Sequence, residues 1–447
     1  MYILTNGRLI TRDPDAKGYY EKGAVVYEGS KIVEVGEEAA LTAKYPQAER
    51  IDAKGGVIMP AFINAHTHIY SALARGLSIV GNNPTNFFEV LDGTWWAIDR
   101  HLTLEGTRAS ADALYIDCIK QGVTTIFDHH ASYCQIPGSL FQIGESAKKF
   151  GIRSCLCYEV SDRDGEEKCL EAIQENADWI TYCQEHKDPM LAAMFGGHAL
   201  FTISDKTFDR MAAANNGRTG YHIHVSEGMN DVYDSLQNYG RRPVQRLQDH
   251  GILDGKTILG HCIHVNTAEM EIIKETGTMV VNNPESNMGN AIGICPVLQL
   301  YKRGILLGMG TDAYTNDMLE SLKVALCSQR SQNCLPNVGW CEVTDMLFKN
   351  NAKIGAKYFP DQLGVLKAGA AADIIVMDYK PFTPFSDENI DGHMIFGMTG
   401  RQCQTTIAAG KLLMKDRELV GIDEEAENAH ILEASKKLWG SLNHREY

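Results

Sequence analysis

Two histidines spaced by one residue, His66-Thr67-His68, close an apolar run that begins at Val57. On a strand, residues i and i+2 point to the same face, so two imidazoles meet there and can grip one ion. Alone, such a pair is as readily two core histidines. The chain repeats the signal in Asp128-His129-His130, Gly196-Gly197-His198, His222-Ile223-His224, Gly260-His261-Cys262 and Gly310-Thr311-Asp312. Each stands at or beside the end of a short apolar run, and eight of the 15 histidines fall in these places. Histidines scattered through core or surface would not gather so. Three imidazoles and one carboxylate, with a position left for water, suit a catalytic Zn²⁺ or a related divalent ion. We take His66, His68, His224 and Asp312 as the ligands of one ion per chain, Zn²⁺ first and Fe²⁺ second. His261 is either a fifth ligand or the group that holds water and substrate.

Water on such an ion can ionise near neutrality, so the expected nucleophile is a metal-bound hydroxide. That chemistry needs a proton carrier. Glu227 follows His224 by three residues, where a carboxylate could reach both ligands and substrate; its plain alternative is a surface glutamate opening the next helix. Glu227, His261 and Asp312 are the expected catalytic set. One of His129 and His130 should face the site, and we assign His130 to the substrate. In Trp95-Trp96, Trp96 could stack on a flat heterocycle, although core packing at the barrel mouth explains it equally well. Arg75 suits a structural ion pair better than a substrate anion.

Metal ligands drawn from so many segments need a frame that brings strand ends together. From Val57 onward, short apolar runs alternate with stretches of helical spacing. The runs start at Val57, Val123, Ser154, Leu191, Tyr221, Thr257, Thr278 and Ile305. Eight such units predict a parallel (β/α)8 barrel, whose catalytic groups sit at the C-terminal strand ends. Both chain ends carry short β-like runs, too few at either end to bury a core separately. We therefore expect residues 1–57 and 363–420 to form one composite, β-sandwich-like domain, residues 58–362 the catalytic barrel, and 421–447 a C-terminal helical segment. The acidic start Asp423-Glu424-Glu425 suits a helix N-terminus.

A formal charge of −15 argues against a nucleic-acid or anionic-membrane partner. Twelve cysteines without a CxxC pair fit reduced thiols. The start MYILTNGRLITRD lacks a basic segment followed by a long apolar core, and no run reaches about 18 apolar residues. These features lead us to expect a cytoplasmic protein with a small-molecule substrate; we also expect a homo-oligomer.

The segments HTH at 66–68, HVSE at 224–227, GHC at 260–262, NNPESN at 282–287, GTDA at 310–313 and LGVLKAGAAADIIVMD at 363–378 together resemble the amidohydrolase superfamily. The resemblance is to the branch of chlorohydrolases and heterocycle deaminases, and it covers essentially the whole chain. HIYSALARG, WWAIDRHL, DHHASY, GGHALFTISD and IDGHMIFGMTG are similar to SsnA-type aminohydrolases. The resemblance implies a mononuclear site of His66, His68, His224 and Asp312, with Glu227 and His261 as proton shuttle and water or oxyanion partner. It places His198 where substrate-orienting side chains lie. Binuclear members bridge two ions with a modified lysine, and neither SCLCYEV nor LAAMFGGHALFT contains one. One departure is that Asn282, Asn283 and Glu285 occupy a segment where relatives carry histidine and a basic residue.

The implied activity is an aminohydrolase that deaminates an amino-substituted N-heterocycle. Opening of a cyclic amide on the same site is the alternative, for which Asn283 and Glu285 leave room. A non-catalytic binding barrel is disfavoured by the intact ligand set and Glu227.

Overall fold

The computed structural model describes all 447 residues. Its first strands are β1 (Tyr2–Ile10), β2 (Tyr19–Glu28), β3 (Lys31–Glu37), β4 (Glu49–Asp52) and β5 (Val57–Pro60). β1, β2 and β3 form an antiparallel meander, while β4 and β5 lie parallel along successive parts of β1.

The chain then builds the barrel from β6 (Phe62–Thr67), β7 (Val123–His130), β8 (Arg153–Tyr158), β9 (Leu191–Ala193), β10 (Phe195–Ala199), β11 (Tyr221–Val225), β12 (Ile258–His261), β13 (Met279–Asn282) and β14 (Leu307–Met309). Every pairing among them is parallel. β9 and β10 occupy one strand position, interrupted at Met194: β9 pairs with β8 and β10 with β11. Parallel bridges Val160–Gly197 and Thr67–Asp312 join the two groups of strands, giving eight positions around a (β/α)8 barrel. Ile63, Ala65, Phe127, Cys155, Cys157, Met194, Met279 and Val281 fill its interior as a packed core.

Local sequence explains the helices between the strands. Leu104–Gln121 begins at Thr103, whose hydroxyl accepts the Gly106 N–H at 3.1 Å, and stops at Gly122 in the left-handed region. Thr267–Thr276 opens with a reciprocal box between Asn266 and Glu269 and also stops at a left-handed glycine, Gly277.

The chain returns to the first sheet through β15 (Ile374–Met377), β16 (Cys403–Ala408), β17 (Lys411–Lys415) and β18 (Glu418–Leu419). β15 pairs antiparallel with β5, so both chain ends share one nine-stranded sheet with its own apolar core, including Leu4, Val25, Ile58, Ile374 and Ile407. The apolar run from Val57 to Ile63 reads as one barrel strand, but the structure makes two. Pro60 offers no N–H, the Ala61 N–H goes to Asp373 O (3.1 Å), and the Phe62 N–H goes to Gly122 O (2.9 Å). The chain changes sheets at Ala61, so residues 58–60, expected in the barrel, belong to the terminal sheet.

A buried Arg153–Asp373 ion pair joins the base of β8 to the segment entering β15. Asp373 also accepts from the Thr124 hydroxyl (3.1 Å) and the Ala409 N–H (2.7 Å). The last helix, Glu424–Asn443, starts at Asp423, whose carboxylate accepts the Ala426 N–H. It docks on the barrel, where Trp439 Nε1 donates to Leu73 O at 2.8 Å. All twelve cysteines are free thiols, and no helix is long and apolar enough to cross a membrane.

Candidate active site

A strand alternates its side chains, yet this site takes neighbouring residues from one face. Three left-handed residues and one bulge make that possible. Between the pairs Asn64–Ile126 and Thr67–Asp128, β6 holds one residue more than β7, so Ala65 and His66 both turn inward. On β12, Gly260 faces inward; a Cβ there would meet His224 Cδ2 at 3.3 Å. His261 also points inward because its φ is +67°. Asp312 (φ +56°) and Ser226 (φ +50°) end β14 and β11 in the same way. Such backbone costs of order 1–3 kcal/mol per residue and clusters at functional sites.

The result is a buried ring of donors. His68 Nε2 lies 2.9 Å from Asp312 Oδ1 and 3.2 Å from His224 Nε2. His66 Nε2 is 3.9 Å from Asp312 Oδ1, and His261 Nε2 is 3.7 Å from Asp312 Oδ2. Each opposite ring nitrogen is held from behind. His68 Nδ1 donates to His129 O (2.6 Å), His224 Nδ1 to His198 O (2.8 Å) and His261 Nδ1 to Asn287 Oδ1 (2.7 Å). His66 Nδ1 pairs with His222 Nε2 at 2.8 Å. Backing of this kind fixes the tautomer and turns the Nε2 lone pairs inward, as metal-ligating imidazoles require. His66 Nε2 is buried with no hydrogen-bond partner. Burial, reinforced by neighbouring imidazoles, holds His66 and His224 well below the usual histidine range, so they are neutral donors. Burial works against ionised Asp312, but His68 and His261 outweigh it and pull the carboxyl well below the usual range. The donor set fits a divalent metal ion.

Glu227 stands just past β11, with Oε1 3.6 Å from His261 Nε2. Burial, then the Asp312 carboxylate, pushes its carboxyl well above the usual range, against the pull of His68. Asp231 accepts the Ser226 N–H at 2.6 Å and the Phe201 N–H at 3.0 Å, tying the Glu227 turn to the loop after His198. A cavity lined also by Tyr70, Trp95 and Tyr314 opens above these groups.

The structure brings His66, His68, His224, His261, Asp312 and Glu227 together, with His198 on the cavity wall. Two expected substrate contacts lie elsewhere. His130 turns outward from the barrel, packs against the rings of Tyr70 and Tyr158, and meets Ser132 Oγ at 3.0 Å. Alternation along β7 instead points His129 inward. Trp96 sits behind His198, its Nε1 3.5 Å from His198 Nε2, while Trp95, a step further round the helical turn, lines the cavity. Arg75 pairs with Asp117 at 3.0 Å.

Sequence reasoning missed Glu159, at the C-terminal end of β8. Its Oε1 accepts from His129 Nδ1 at 2.8 Å. Burial raises its carboxyl, but His198, His129 and His68 outweigh that and hold it at about 2. The signal was one acid inside the otherwise apolar run SCLCYEV.

Glu285 turns away from the cavity, and its Oε2 accepts from Ser321 Oγ at 2.5 Å. Burial raises its carboxyl to about 7. An unfolded glutamate titrates near about 4.3, so the folded chain retains a proton that the unfolded chain releases in between. This favours the fold below about pH 4 and is lost as pH rises through 7. Glu285→Gln should therefore raise stability at pH 8 by about 1–3 kcal/mol, with the gap closing towards pH 4. Denaturant melts at the two pH values check this; equal stability at pH 8 would refute it.

The comparisons with known proteins agree with this architecture. The Amidohydrolase family model matches residues 57–413, so the chain belongs to the amidohydrolase family. It is a hydrolase of carbon–nitrogen bonds other than peptide bonds. A bacterial imidazolonepropionase-like composite domain matches residues 23–48, within the terminal sheet. The chain is 30% identical to 5'-deoxyadenosine deaminase of Methanosarcina mazei, over 99% of each chain. It is 31% identical to 5-methylthioadenosine/S-adenosylhomocysteine deaminase of Thermococcus sibiricus, over 88% of this chain and 90% of that one. Among solved structures, an adenosine deaminase from Xanthomonas campestris with bound zinc superposes with a TM-score of 0.82 at 22% identity, covering 98% of each chain. Guanine deaminase of E. coli superposes with a TM-score of 0.79 at 19% identity, covering 93% of this chain and 100% of that one.

Proposed function

We propose that this chain is a metal-dependent aminohydrolase that exchanges the amino group of a small amino-substituted N-heterocycle for oxygen. The observation that carries the reading is the convergence of the backed Nε2 atoms of His66, His68 and His261 on the Asp312 carboxylate, with His224 Nε2 against His68 and Glu227 beside them. His66, His68, His224 and Asp312 would hold a single Zn²⁺, with Fe²⁺ the other candidate. When bound, the ion lowers the pKa of coordinated water and supplies a nucleophile at neutral pH.

Glu227 then has two tasks at its carboxyl. It takes a proton from the attacking water and delivers one to the departing nitrogen. Its raised carboxyl suits a group that both accepts and returns a proton near neutrality. His261, fixed by Asn287, orients the water or the developing oxyanion. His198, its Nδ1 3 Å or less from Thr202 Oγ1 (2.8 Å), orients the ring on the cavity wall.

The deaminase names of the two relatives support this reading, as does the position of Glu285. Of the two residues that left room for ring opening, Glu285 does not face the cavity, whereas Asn283 Nδ2 lies 3.4 Å from His261 Nε2. Metal-loaded protein incubated with aminopurines, aminopyrimidines and cyclic amides should release ammonia and give a closed-ring product about one mass unit heavier, as replacement of –NH₂ by oxygen requires. An ammonia-free product about 18 units heavier, a hydrolytic addition of whole water, would overturn deamination in favour of ring opening.

A further inference from the structure

The cavity wall carries three carboxylates, Glu159, Glu227 and Asp312, and neither lysine nor arginine. Glu227 and Asp312 are accounted for by the proposed chemistry, which leaves Glu159. Its side chain is 2% exposed at the end of β8. His129 faces it with Nδ1 at 2.8 Å and directs Nε2 to His222 O at 2.8 Å. Oε1 of Glu159 is the acceptor in its contact with His129 Nδ1. No donor of the chain reaches Oε2; His198 Nε2 stands 3.9 Å away and itself accepts the Trp96 Nε1–H at 3.5 Å. Glu159 stands in one cluster with His68, His129 and His224, its Oε1 3.4 Å from His68 Nδ1, and it lines the cavity in which a substrate ring would lie.

Glu159 is a nearly buried carboxylate on the cavity wall whose Oε2 receives no donor from the protein; a substrate that displaces water from it must supply one. Resting on the aminohydrolase reading, we propose that Glu159 is a specificity-determining residue whose Oε2 accepts a hydrogen bond from a substrate N–H, a ring N–H or second amino group close to the carbon that loses nitrogen. The substrate class is then an uncharged, donor-bearing aminoheterocycle. A carboxylate or phosphate close to the reacting ring finds no cation on this wall, and an N-alkylated ring that excludes water from Oε2 leaves it without a partner. Sites built around a substrate N–H reject analogues lacking it because the buried acceptor stays unpaired.

The test compares guanine with 1-methylguanine, and isocytosine with 3-methylisocytosine, on zinc-loaded wild-type and Glu159→Gln protein. Metal content is measured by elemental analysis, binding by calorimetry and turnover by ammonia release. Wild-type protein should favour the N–H member of a pair by roughly 10–100-fold. In Glu159→Gln, His129 claims the amide oxygen and the amide N–H₂ faces the cavity, so the preference should vanish or reverse while metal stays bound. The same ratio in both proteins would overturn the proposal, as would no preference in wild type or loss of metal from the variant. Wild-type protein that binds the N–H member preferentially but releases no ammonia would sink the aminohydrolase reading, and the binding ratio in Glu159→Gln would still decide the role of Glu159.

Discussion

Glu227→Gln should keep its metal and lose turnover by roughly 10²–10⁴-fold, the usual contribution of a positioned acid or base. The substitution preserves size and removes basicity. Glu227 sits beside the donor ring rather than in it, 3.6 Å from His261 Nε2, so elemental analysis should give the wild-type metal content. Asp312→Asn should behave differently. Asp312 lies within 2.9 Å of His68 Nε2 at the centre of the cluster, so its loss should weaken metal binding as well as turnover. A Glu227→Gln enzyme that turns over normally would remove the shuttle, whichever bond the enzyme hydrolyses.

The second large effect is loss of the metal itself. His68 is the most connected donor, with Asp312 at 2.9 Å, His224 at 3.2 Å and its own Nδ1 tied to β7 through His129 O. His68→Ala should cost more metal affinity than the roughly 10–100-fold typical of losing an outer hydrogen-bond partner. Elemental analysis after dialysis checks this, and full retention of metal would refute the assignment. Because an ion bound only by the folded chain stabilises it, chelation should lower the melting temperature of wild type. The same treatment should leave His68→Ala nearly unmoved.

The parts of the site legible in the sequence were those with a rigid geometric signature. Paired histidines at strand ends follow from strand periodicity, and Glu227 was legible from its closeness to the strand end rather than from that period. What escaped were choices between faces and between neighbours that periodicity by itself leaves open. His129 and His130 are adjacent, and only the facing of β7 decides that His129 enters the barrel. Trp95 and Trp96 differ by one step of a helical turn, which sends one to the cavity and the other behind His198. His222 reads as part of an alternating strand, yet it backs His66. Glu159 was masked by its surroundings, since an apolar run reads as core even with an acid inside it. The fold was legible through its eight alternating units, except where Pro60 and Ala61 hand a continuous apolar run from one sheet to another.

The pairing of β5 with β15 sets a timetable for the ribosome. Ile374 lies against Pro60 and Met377 against Val57, so the middle of the terminal sheet closes only when the chain has grown past residue 377. At roughly 5–20 residues per second, β5 waits on the order of 15–60 s for this neighbour during synthesis. Through that interval the buried edge Val57-Ile58-Met59 of the finished protein is an open, apolar strand edge on a nascent chain. Expression at higher rates should therefore favour inclusion bodies, and slower synthesis at low temperature or added chaperone should return the protein to the soluble fraction.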